Sequence, residues 1–126
     1  MQNGKDLVEK FLDKLSEGDE KKIAELFSKD AILLPFLSKE TYIGREEIAK
    51  YFLETFLPQN PVGEVVSEYS QTFGNSSISV TGDWDFRIKG QEEPVVHARY
   101  TMIFRKKSML LGGWEIIHLH SSFHPD

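Results

Sequence analysis

Apolar and polar positions alternate with a helical period at the start of the chain. Leu7, Val8, Phe11, Leu12 and Leu15 form one apolar stripe, predicting an amphipathic helix over residues 4–17. Asn3 can cap its start and Gly18 can end it, while Asp6 and Lys10 sit i,i+4 on the wet side. Asp19 can cap a second, shorter helix whose apolar side is Ile23, Ala24, Leu26 and Phe27, ending near 28–30. Ala31, Ile32, Leu33 and Leu34 form a short apolar run stopped by Pro35, predicting a strand that enters the interior. Phe36 and Leu37 follow as loop residues that need cover, at the mouth of a pocket. Residues 41–44 read as extended. Arg45, Glu46 and Glu47 then open a third helix, their acidic members complementing its dipole. Its apolar residues are Ile48, Ala49, Tyr51, Phe52, Leu53 and Phe56, and Pro58 and Pro61 stop it.

From Val62 the period changes from helix to strand. Four strands are predicted over 63–73, 77–88, 94–106 and 113–123. Gly74-Asn75 and Lys89-Gly90 are turn signals, and 108–113 makes a longer hairpin loop. In the last strand, strict alternation places Trp114, Ile116, His118 and His120 on one face. Glu115, Ile117, Leu119 and Ser121 take the other. Both faces hold apolar residues, so this strand is expected at the centre of a sheet. Helices followed by an antiparallel meander give an α+β domain, a single one over 1–126.

Composition narrows the function. Hydrophobic residues make up 40% of the 126, enough for a core, and nine Phe, four Tyr and two Trp suit a packed sheet or a lined pocket. A formal net charge of -5 argues against nucleic acid as a partner. With no cysteine, disulfides, thiolate catalysis and cysteine-ligated zinc are excluded. The polar N-terminus has no signal-like apolar run, and no segment has the roughly 18 apolar residues of a membrane span. A soluble cytoplasmic protein is the expectation, with no membrane partner and no cofactor.

Four stretches together resemble the nuclear transport factor 2-like superfamily: LSEGDEKKIAELFSKDAILLPF, YIGREEIAKYF, RYTMIFRK and GWEIIHLHSSFHP. Within it, the chain is most similar to the association domain of calcium/calmodulin-dependent protein kinase II and to the SnoaL-like and SgcJ/EcaC groups. The ending with Trp114, His118, His120, Ser122 and Pro125 is the more specific part. The resemblance implies a cone-shaped, cystatin-like fold, in which a curved antiparallel sheet wraps N-terminal helices and leaves a cavity at the open end. It also implies homodimers or larger assemblies through the outer face of the sheet. It does not imply kinase activity, because no kinase domain is present. The kinase association domain has a pocket arginine where this chain has Ser121, and another where it has Thr101, with Arg99 one pleat earlier on the same face. That correspondence implies that the Arg99–Thr101 side of the strand is concave.

The candidate chemistry rests on single side chains. Arg99 shares a strand face with His97, Thr101, Ile103 and Arg105. A mid-strand arginine among apolar neighbours needs a partner, either a ligand carboxylate gripped by its planar fork or an internal acid, Asp83, Asp85 or Glu115. On the concave side its facing wall is expected to be Ile117, Leu119 and Ser121, with a small organic acid as the ligand. Asp83 and Asp85 share a face opposite Trp84. Asp83 on an apolar wall could serve as a general base, with His118 as the other catalytic candidate; solvent-facing aspartates are the plain alternative. His118 and His120 could bind a metal, yet no third ligand has a fixed spacing, so no metal is expected and an interface position is preferred. Tyr42 could offer a phenol, and Trp84 a flat apolar wall. The expected function is a ligand-binding and self-association module. The alternative is a cofactor-free SnoaL-like isomerase, cyclase or hydrolyase using a pocket aspartate or histidine.

Overall fold

The computed structural model describes residues 3–88, 96–108 and 112–125. Helix α1 spans Gly4–Glu17, where the apolar stripe begins and ends. Asn3 accepts a hydrogen bond from the Asp6 N–H, and Gly18 takes the left-handed conformation (φ 76°), its N–H donating to the Leu15 carbonyl. Helix α2 spans Glu20–Glu25, with the Asp19 carboxylate accepting from the N–H groups of Lys21 and Lys22. It ends earlier than the apolar pattern predicts. The backbone at Leu26 is captured by the sheet, its carbonyl accepting from the Ile116 N–H at 2.8 Å. Strand β1 therefore starts at Phe27 and runs Phe27–Leu34.

Strand β2 is Tyr42–Ile43 and helix α3 is Arg45–Tyr51. The expected continuation of α3 is a π turn, Phe52–Phe56, then a 3-10 turn, Leu57–Gln59. These turns keep Phe52 and Phe56 buried together, their rings 6.1 Å apart. Strands β3 (Pro61–Phe73), β4 (Ser77–Ile88), β5 (Val96–Lys106) and β6 (Trp114–Phe123) complete the chain. The Lys89-Gly90 turn signal, positions 94–95 and the middle of the 108–113 loop lie outside the described residues.

The six strands form one sheet in the order β2-β1-β6-β5-β4-β3. The last strand is central, as its two apolar faces predict. The sheet is antiparallel except between β1 and β6, which are parallel. Helix α1 crosses the inner face, close enough at Gly63 that a Cβ there would come within 2.7 Å of Leu12. Gly82 is needed for a similar reason, because a Cβ would collide with the Ser67 carbonyl oxygen of β3.

Two bulges decide which side chains face inward. In β3 the register shifts between Val65 and Ser67. In β6, Ile103 pairs with His118 while Phe104 pairs with Ile116, so Ile117 is extra. The strict alternation expected in β6 therefore breaks. Ile116, Leu119 and Ser121 are buried on the inner side, whereas His118 and His120 lie across from Ile103 and Thr101. The inner wall of β5 is Ala98, Tyr100, Met102 and Phe104, all buried. Trp84 stacks on Tyr100 at 4.3 Å and on Phe11 of α1 at 6.2 Å, joining helix to sheet.

Candidate functional site

The open end of the cone is closed by aromatic rings. Phe36, from the loop after β1, lies 5.8 Å from Phe56, 5.6 Å from Phe86 and 5.6 Å from Phe123. The loop residue expected at a pocket mouth thus fills that mouth. Behind it the interior space is about 20 Å³, lined by rings and aliphatic side chains together with Ser121. That is room for about one water, which needs roughly 10–15 Å³. Small-molecule sites are typically about 300 Å³ or more, so a small organic acid does not fit in the interior as it stands.

The Trp84 indole and the Ser121 hydroxyl of this wall already have partners. Trp84 donates its indole N–H to Ser121 Oγ at 3.0 Å, and Ser121 donates its hydroxyl to the Arg99 carbonyl at 2.9 Å. Leu119 is buried beside Ser121. Tyr42 shares a hydrogen bond with Ser38 Oγ at 2.9 Å, and its ring lies 5.0 Å from that of Tyr51. Burial pushes the Tyr51 phenol well above its ordinary value, and proximity of Tyr42 adds to this. Among the described residues, no carboxylate, imidazole or guanidinium lines this space.

The charged candidates all stand on the outer face. The expectation that the Arg99–Thr101 side is concave is corrected by the pairing register. Arg99 faces Ser122, Thr101 faces His120 and Ile103 faces His118, while Tyr100 and Met102 face Ser121 and Leu119 within the cone. The inward wall of β5 is the apolar one because only that side can bury against α1. The Arg99 side chain points away from Leu119 and Ser121, with only its backbone carbonyl reaching the Ser121 hydroxyl, so it does not line an acid-binding cavity inside the cone. Its cross-strand neighbour on β4 is Asp83. Among the described residues, no carboxylate lies within ion-pair distance of the Arg99 guanidinium.

Asp83 likewise faces outward, not toward an interior substrate. Its Oδ2 accepts from Ser67 Oγ at 2.9 Å. Its Oδ1 is buried without a hydrogen bond, 3.4 Å from His124 Nε2. That separation is within ion-pair range, but the geometry is not that of a hydrogen bond, so His124 answers this oxygen only when protonated. His97 Nδ1 contacts Asp85 Oδ1 at 2.7 Å. Burial lowers the pKa of His118, and neighbouring His120 lowers it further. Asp83 and His118 stand in different rows of the face, joined by no hydrogen bond.

Tyr69, Thr81, Thr101 and His120 form one cross-strand row, and the two threonine hydroxyls are 3.3 Å apart. With Asp83, Arg99 and Ser122 this row bounds a shallow outer groove of about 380 Å³. The next row runs Gln71, Ser79, Ile103, His118, Ile32 and Ile43. Sequence reasoning placed His97, Arg99, Thr101 and Ile103 together correctly but on the wrong side. It missed Tyr69, Ile32 and Ile43. Their signal was outward apolar residues on the flanking strands at the same pleat.

A SnoaL-like domain model matches residues 5–125. The chain belongs to the SnoaL-like family. No curated protein matches it. Among solved structures, this SnoaL-like chain is similar to a Xanthomonas campestris protein named for the calcium/calmodulin dependent protein kinase II association domain. The two share 32% identity over 95% of this chain and 84% of that one, with a TM-score of 0.85. A Thiobacillus denitrificans protein named for the same domain aligns over 99% and 98% of the two chains, at 14% identity and a TM-score of 0.76. A cystatin-like domain of unknown function from Nostoc punctiforme aligns over 95% and 74%, at 19% identity and a TM-score of 0.76. The last two speak for the nuclear transport factor 2-like, cystatin-like fold alone. No helix among the described residues is long and apolar enough to cross a membrane.

Proposed function

We propose that this SnoaL-like chain is a self-association module that packs the outer face of its sheet against the same face of a second copy. The observation that carries this reading is the row through Ile103, His118, Ile32 and Ile43 on the outer face. Ile32 and Ile43 are 36% and 57% exposed, and Tyr69 in the adjoining row is 70% exposed. Contiguous apolar side chains on an outer sheet face mark a contact surface. The occupant is a second copy because the face complements itself. Its apolar members Ile103, Ile32 and Ile43 can lie against the same side chains of another copy across a two-fold axis, which brings each surface to its own copy. The name of the Xanthomonas protein points the same way, toward association. The filled interior supports this reading over catalysis within the cone.

Light scattering on the whole chain and on Ile103→Glu tests it. The wild type is expected to scatter as at least twice 14.5 kDa at micromolar concentration. Ile103→Glu is expected to keep the fold and weaken association by about a hundredfold, since an unpaired buried charge costs roughly 3 kcal/mol. A wild-type particle of 14.5 kDa throughout that range contradicts the proposal.

A further inference from the structure

All four histidines of the chain serve the outer face. They fall into two pairs of opposite character. His97 sits on Asp85 and His124 reaches Asp83, so a proton on either ring meets a carboxylate. His118 and His120 stand two residues apart on the same side of the central strand. Among the described residues, neither has a carboxylate within ion-pair distance.

The groups around this second pair offer it no counter-charge. On β5 it faces Ile103 and Thr101, flanked by Arg99 and Arg105. On β1 it faces Ile32 and Leu34. Asp30 of β1 and Glu115 of β6 are the nearby acids, and both are engaged by Arg105, at 3.7 and 3.3 Å. Exposed Lys29 precedes Asp30 on β1 and adds only positive charge. The loop residues Lys39 and Glu40, one of each sign, line the groove that adjoins His120. On β4 the acids Asp83 and Asp85 are matched to His124 and His97. Arg99 remains as an uncompensated positive charge in the row beside His120.

We propose that His118 and His120 form a pH gate on self-association, their neutral rings permitting the outer faces to meet and their protonated rings driving them apart. This inference rests on the self-association reading. In a two-fold contact the imidazoles of both copies are desolvated together near Arg99, so the assembled form binds protons less readily than the separate chains. The direction is already present in one chain, where the pKa of His118 is lowered from its ordinary 6.5 by burial and then by His120. The separated form takes up more protons as pH falls through its own His118 pKa, which lies below the ordinary value, so association is complete above that point and is lost on further acidification.

Sedimentation velocity at about pH 7.5 and about pH 5.5, at fixed ionic strength, tests the gate across the histidine range. The wild type is expected to associate at least about tenfold more weakly in acid, and the His118→Gln/His120→Gln double variant to change by less than about twofold. Equal association of the wild type at both pH values overturns the gate but leaves the self-association reading standing. So does a double variant as acid-sensitive as the wild type. A wild type monomeric at the higher pH overturns the self-association reading, and the gate with it. Should the double variant itself be monomeric there, His97→Gln/His124→Gln decides. Retained acid sensitivity supports the gate, and its loss overturns it.

Discussion

Ser121 donates a hydrogen bond from its hydroxyl to the Arg99 carbonyl while accepting one from the indole N–H of Trp84, in a wall otherwise made of aliphatic and aromatic side chains. Removing that hydroxyl leaves the buried indole donor without its acceptor. Ser121→Ala is therefore expected to lower unfolding stability by roughly 1–3 kcal/mol in urea titrations, and a change near zero would show that the bond is dispensable. The inward direction of Ser121 and Leu119 could not be read from β6 itself. Alternation gave their shared parity, but the extra residue Ile117 moves that parity relative to Trp114 and Ile116. The same step misplaced Arg99. Its face-mates were legible, yet nothing in the alternating run says which side meets α1. Side-chain size did hold the signal, since Tyr100, Met102 and Phe104 make the more apolar face and can fill an interior, whereas His97, Arg99 and Arg105 cannot.

Elements with end signals were the most legible. Asn3 and Gly18 bracket α1 because a side-chain oxygen and a left-handed glycine satisfy its terminal backbone groups. Asp19 does the same for α2, bonding two N–H groups at once. Asp19→Ala is expected to cost about 1 kcal/mol by thermal or urea denaturation, whereas an unchanged midpoint would mean that water caps the helix equally well. Elements ended by tertiary contacts were less legible. The C-terminus of α2 is set by the bond from Ile116 to Leu26, between segments about ninety residues apart. The π turn over Phe52–Phe56 has no local marker, for its apolar spacing also fits an ordinary helix. The parallel pairing of β1 with β6 follows from the path of the chain around α1, which hydrophobic period does not encode.

At the scale of the whole molecule, the α+β cone and its family follow from the order of helices and strands together with the motifs that carry the resemblance. Its interior did not follow. A cone with nine phenylalanines can be lined or filled, and here Phe36, Phe56 and Phe86 fill it. That closure transfers the functional weight to the outer face, where Tyr69 and Arg99 line one groove and exposed Ile32 and Ile43 end the adjoining row. The most direct measurement of this account is an isotope-filtered NOE experiment on an equal mixture of carbon-13-labelled and unlabelled copies near neutral pH. Contacts between copies are expected at the methyl groups of Ile32, Thr101 and Ile103 and at the ring of Tyr69. Contacts centred instead on α1 or on the helical turns at the closed mouth, or none at concentrations where the chain is to be associated, would contradict it.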